Sequence, residues 1–127
     1  MTVVLAGLMV AVSVPAQADP GRPNQHVEGD LPNGNSTVVQ YSTYRTIPSA
    51  WRNVDLWYAN KITGDLRLGL RNVWGYQITT SVQLGGINAS YRLAANMAAG
   101  TEFAINGRAV SYLWASDDQH WAGELYW

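Results

Sequence analysis

Residues 65–73 read DLRLGLRNV, with Leu66, Leu68 and Leu70 alternating with Arg67, Gly69 and Arg71. Successive side chains of a strand point to opposite faces, so this period of two describes a strand with a buried leucine face and a wet arginine face. Residues 53–60 repeat the pattern, with Val54, Leu56 and Tyr58 opposed to Asp55 and Trp57. The connecting Lys61-Ile62-Thr63-Gly64 has hairpin length and a glycine where positive φ is expected. In residues 76–84, Tyr76, Ile78, Thr80, Val82 and Leu84 share one face, and Gly85-Gly86 then turns the chain into 87–93. Ile105-Asn106-Gly107-Arg108 predicts a type I′ hairpin turn linking 101–105 with 108–115, because Asn-Gly accepts positive φ. Residues 121–127 close the chain, with Trp121, Leu125 and Trp127 opposed to Ala122, Glu124 and Tyr126. With 37–46 added, about eight short strands separated by turn signals indicate an all-β, antiparallel β-sandwich or barrel. The Ala-rich stretch 91–99, which stops at Gly100, is where one short helical turn competes with a strand.

The beginning of the chain has another character. Residues 1–18 carry no charge, and an almost continuous apolar run from Val3 to Val14 precedes Pro15 and Ala16-Gln17-Ala18. This is the pattern of a secretory signal peptide, although Met-Thr stands where Lys or Arg is usual. The run is shorter than the ~20 residues that span a bilayer, so no stable membrane anchor is expected after cleavage. Residues 19–35 (DPGRPNQHVEGDLPNGN) hold three Pro and three Gly, with Val27 and Leu31 the sizeable apolar groups. Such a stretch buries too little to offset its ordering entropy and reads as a flexible N-terminal arm before a single β domain at 36–127. Centred on Arg22, His26 and Val27, the arm would order on a partner or add a strand to its sheet.

Cysteine is absent, which excludes disulfide scaffolds, thiol catalysis and cysteine-bound metals. An exported domain without such staples must draw much of its core from its six Trp and seven Tyr. Trp74, Trp114, Trp121 and Trp127 fall on apolar parity and are expected inside. Trp57 shares a face with Asp55, and Tyr126 with Glu124. Trp51 stands beside Arg52 in the connection after Pro48. Trp51, Arg52, Trp57 and Tyr126 are therefore the candidate binding residues, since exposed rings anchor protein interfaces and sugar-stacking platforms.

Parts for catalysis are few. His26 and His120 are the only histidines, and Asp117-Asp118-Gln119-His120 matches no metal-loop spacing and reads as a solvated turn. Asp55 and Glu124 could be neighbours on an outer sheet face, but a convex face is no cleft, and no nucleophile motif is present. No catalytic residue, metal site or cofactor is expected. Eight basic against nine acidic groups leave a net charge of −1, without a footprint for nucleic acid. Arg67 and Arg71, with Arg92 nearby, would suit a phosphate or sulfate group; alternatively their stems cover apolar surface with the charges in water.

The pair Val54-Asp55-Leu56-Trp57-Tyr58 and Leu66-Arg67-Leu68-Gly69-Leu70-Arg71-Asn72 resembles paired strands of small secreted β-proteins of actinobacteria, the spore-associated protein A family. The resemblance covers about half of the chain after Ala18 and rests on no specific motif. The cysteines of that family are missing here, and no functional residue carries over. It implies an extracellular, non-enzymatic role. The expected function is a secreted, non-catalytic binding module, foremost a protein–protein adaptor acting on an extracellular partner. The alternative is a module binding carbohydrate or cell-surface polysaccharide, and the third reading is a protease inhibitor.

Overall fold

The computed structural model describes residues 22–34 and 37–127. The expected signal segment, the first three residues of the expected arm, and Asn35 lie outside the described residues. Nine strands are described: β1 (Asn24–Asp30), β2 (Val39–Gln40), β3 (Arg45–Thr46), β4 (Arg52–Asn60), β5 (Leu66–Arg71), β6 (Val82–Leu84), β7 (Ala89–Met97), β8 (Glu102–Ala109) and β9 (His120–Tyr126). They form two antiparallel sheets, one of four strands in the order β1-β9-β4-β7, the other of five in the order β2-β8-β5-β6 with β3 also on β8. The architecture is a β-sandwich.

The alternation of β4 and β5 builds the shared core. Val54, Leu56 and Tyr58 of the first sheet face Leu66, Leu68 and Leu70 of the second, all without measurable exposure, and Phe103, Ile105, Trp121 and Leu125 join them. Each such side chain contributes about 1.5 to 3 kcal/mol through removal from water. Gly64 holds φ of +82° in the loop from β4 to β5, as the turn reading requires.

Three expectations are corrected. The arm is not flexible where it is described: β1 pairs with β9 from Asn24↔Tyr126 to Asp30↔His120, and Val27 and Leu31 are buried. Its backbone partners come from the last seven-residue strand, so the composition of 19–35 carried no sign of them. Nor is there a helical turn at 91–99, which is occupied by β7 on β4. Ala94 pairs with Val54 and Arg92 with Asp55, so Leu93 is the extra residue of a β-bulge, and Leu93 and Ala94 are buried in succession. Pairing and burial override the helix propensity of alanine. Finally, Asn106-Gly107 makes no turn but lies within β8. Gly107 serves close packing instead: a Cβ there would come within 2.8 Å of Leu68 Cδ2.

Candidate functional site

Chain direction places the exposed rings. β4 and β5 are joined by the short loop 61–65 and run in opposite directions, so the residues before β4 and those after β5 lie toward the same end of the sandwich. Trp51, the residue before β4, is 69% exposed, and Trp74 and Tyr76, after β5, are 78% and 72% exposed. The turn carrying the latter two is closely bonded. Asn72 Oδ1 accepts from the amides of Trp74 and Tyr76, each at 3.0 Å, and the Asn72 amide donates to the Tyr76 carbonyl at 2.9 Å. Gly75 completes it at φ +86°. Two large rings are thus displayed on a backbone with little freedom.

Trp74 was expected inside because it continues the parity of β5. The strand stops at Arg71, however, and a turn has no parity to continue. The signal that could have found it was Asn72 followed by Gly75, residue types that suit side-chain-capped turns.

The opposite end holds a second pair. Leu113 is buried and bridged to Gly34 by two backbone hydrogen bonds, which sends Tyr112 and Trp114 outward on the same side. Their ring centroids lie 4.8 Å apart with planes inclined by 57°. Trp114 is therefore also exposed, against the expectation of a core position. Its amide donates to Asp117 Oδ2 at 2.7 Å, the His120 amide to Asp118 Oδ1 at 3.0 Å, and Gln119 bonds Asn33. The segment 117–120 is thus a turn in which aspartates bond backbone amides. Trp121 is buried in the core, with Nε1 donating to Tyr41 Oη at 2.9 Å, and Trp127 is half-buried.

The other candidate residues are distributed over the four-stranded sheet. Arg52 is half-buried and donates to Ser49 Oγ at 3.0 Å and to the Trp127 carbonyl at 3.3 Å. Trp57 points to the outer face but is half-buried between Ser90 of β7 and Glu124 of β9. Tyr126 is on that face too, yet only 4% exposed. Asp55 lies beside it and the Arg22 guanidinium carbon is 6.0 Å from its ring centroid, so the segment expected to be loose covers it. Burial first, and then Glu124, raise the Tyr126 phenol pKa above its ordinary value.

Arg22 and Val27 are not available as arm contacts. Arg22 Nη2 donates to Asp55 Oδ2 at 2.8 Å with its side chain almost fully covered, and Val27 packs in the core. Arg92 Nε reaches Asp55 Oδ1 at 3.1 Å, so the carboxylate expected as a neighbour of Glu124 is held between two guanidiniums.

His26 does remain exposed, within a row of alternating imidazoles and carboxylates across β1 and β9. Its Nδ1 is 3.2 Å from Glu124, and its Nε2 is 3.5 Å from Glu28. His120 continues the row, with Nε2 at 2.8 Å from Glu28 and Nδ1 at 2.8 Å from Asp30. Both ring nitrogens of His120 face carboxylates, an arrangement that only the imidazolium satisfies with two donated bonds. The hydrogen bond to Asp30 is the main cause raising its pKa. These groups form a line across the strands, and no three of the described residues converge to hold a metal ion.

No protein-family model matches this chain, and no curated protein sequence matches it. A solved structure titled "Crystal structure of PirA" is similar at 16% identity and a TM-score of 0.45, over 81% of this chain and 91% of that one.

Proposed function

We propose that the chain is a secreted, non-catalytic binding module that docks on an extracellular protein partner through the end of the sandwich carrying Trp51, Trp74 and Tyr76. The observation that carries this reading is the display of large rings on a bonded turn. A ring held in place before contact loses little conformational entropy on docking, and aromatic anchors of this kind dominate interface energetics. Export is supported by the apolar segment ending in Ala16-Gln17-Ala18, and a role without catalysis by Asp55 and Glu124, the carboxylate pair of the outer face, being engaged by arginine and histidine.

A second reading, carbohydrate recognition, draws on the other end. There the Tyr112–Trp114 pair stands beside Asp117, Gln119 and Asn33, a combination of aromatic rings with polar acceptors and donors that suits a sugar. The two readings separate by experiment. Native protein is purified from culture supernatant, and a co-purifying protein is identified by mass spectrometry and titrated against purified wild type and Trp74→Ala/Tyr76→Ala. The expected outcome is about 30-fold or greater weakening with the folded variant. Recovery only as a free monomer, together with sedimentation on chitin, cellulose or peptidoglycan that Trp114→Ala abolishes, would replace the adaptor reading with the carbohydrate one.

A further inference from the structure

The outer face of the five-stranded sheet holds a feature that the aromatic ends do not explain. Arg67 of β5 and Arg108 of β8 are directly opposed across the ladder. Like charges in that relation repel and are costly to keep without a counter-charge. None is supplied. Arg67 is fixed by neutral acceptors, with Nε to Ser81 Oγ at 3.1 Å, Nη2 to the Ser81 carbonyl at 2.9 Å and Nη1 to Gln83 Oε1 at 3.2 Å. The Arg108 side chain makes no hydrogen bond or ion pair with the described residues. Asp65, at the same end of the face, bonds Gln83 Nε2 at 2.9 Å and pairs with neither arginine, and Glu102 lies about 20 Å away at the far end of β8.

The two guanidiniums border a concavity of about 140 Å³ whose remaining walls include Gln77, Ser81 and Asn106, and among the described residues no carboxylate lines it. Its floor is shaped by Gly69. A Cβ there would come within 2.0 Å of Gln77 Nε2 and 2.9 Å of Asn106 Oδ1, so the amide pair can lie close to the sheet only over a glycine. Asn106, buried, donates to Gln77 Oε1 at 2.6 Å. The other arginines considered from sequence do not belong here. Arg71 is buried against Tyr44 Oη and the Tyr41 carbonyl, and Arg92 is on the opposite sheet.

We infer that the Arg67–Arg108 concavity binds a sulfate or phosphate group, either as the free ion or as a substituent on an oligosaccharide. A tetrahedral dianion supplies the missing counter-charge to both guanidiniums, and its oxygens accept charge-assisted hydrogen bonds from them. One arginine is held in place before the anion arrives, and the other is left free to close on it.

The test is a titration of the full chain, followed by NMR or calorimetry, with sodium sulfate, with sodium phosphate, and with a sulfated hexasaccharide, at ionic strength matched with chloride. Wild type is expected to show saturable binding that Arg108→Gln weakens at least about 10-fold, with Arg67→Gln as an independent second variant. Circular dichroism confirms that each variant is folded, and loss of the repulsion predicts that neither melts below wild type by more than a few degrees. Equal affinity per sulfate for ion and hexasaccharide assigns the site to the free ion. At least about 10-fold tighter binding of the hexasaccharide assigns it to a pendant group. Unsaturable titration, or identical binding by wild type and Arg108→Gln, overturns the inference.

Discussion

The two outer faces of this sandwich treat charge in opposite ways. On the four-stranded sheet, Asp55 is held by Arg22 and Arg92, and Glu28, Asp30 and Glu124 are each within ion-pair distance of His26 or His120. On the five-stranded sheet, Arg67 and Arg108 confront each other, and among the described residues no carboxylate pairs with either. The first face satisfies itself, and much of its charge is spent on fastening β1 and Arg22, two residues before it. The second leaves positive charge over. Net charge, near zero for the whole chain, hides this division entirely.

The largest effect is expected where the self-satisfied face is nearly dry. Asp55→Ala removes the carboxylate between Arg22 and Arg92 and takes from the covered Arg22 guanidinium its bond to Asp55 at 2.8 Å. Loss of one partner of such a pair costs about 3 kcal/mol or more, and a urea or thermal unfolding curve should show it. Unfolding within about 0.5 kcal/mol of wild type would mean that Arg22 is not fastened as described.

Next come two glycines that put the contrast into backbone terms. A Cβ on Gly123 of β9 would come within 2.4 Å of the Trp57 carbonyl, which is main chain of the neighbouring strand and cannot step aside. Gly123→Ala is therefore expected to cost about 2 to 3 kcal/mol. Gly69→Ala on the other sheet meets first the far end of the Gln77 side chain, which can move, and should cost under about 1 kcal/mol. Equal losses in denaturant titrations would erase this difference between the sheets.

The smallest effect concerns the histidine line. His120 has its folded-state pKa raised, chiefly by Asp30. Its contribution is thus fully present below the unfolded value near 6.5 and is lost as pH rises through the folded value. Because the pair is solvent-exposed, the change should stay under about 1 kcal/mol. Stability measured across this window should fall slightly more with rising pH for wild type than for His120→Gln. Parallel profiles would mean that water, not the carboxylates, sets the charge of this ring.

The sequence was most informative where one strand reports on itself. In β4 and β5 the parity of Val54, Leu56, Tyr58 and of Leu66, Leu68, Leu70 specifies both the strand and its inner face, because burial there needs only alternation. It was least informative where the partner is remote. Nothing near Val27 announces β9, and nothing near Leu93 announces the bulge that tucks it under β4. The aromatic assignments failed for the same reason in two directions. Parity was carried past the ends of strands to Trp74 and Trp114, and it was trusted at Tyr126, where Arg22 lies across the face. Asn106-Gly107 illustrates a third limit: local preference for a turn yields when glycine is needed so that three strands can approach. Arg67 was legible as a candidate for an anion. Arg108 was not, since only the register of β5 on β8 puts it there.

The pairing of β1 with β9 joins His26 to Glu124 across 98 residues. A contact of such sequence separation closes a loop comprising nearly the whole domain, so it belongs to the slow, topologically demanding end of folding behaviour. It also sets an order of events during synthesis: the first strand has no edge to lie against until the last has emerged. Until then Val27 and Leu31 stay in water, and the growing chain cannot lock its four-stranded sheet prematurely.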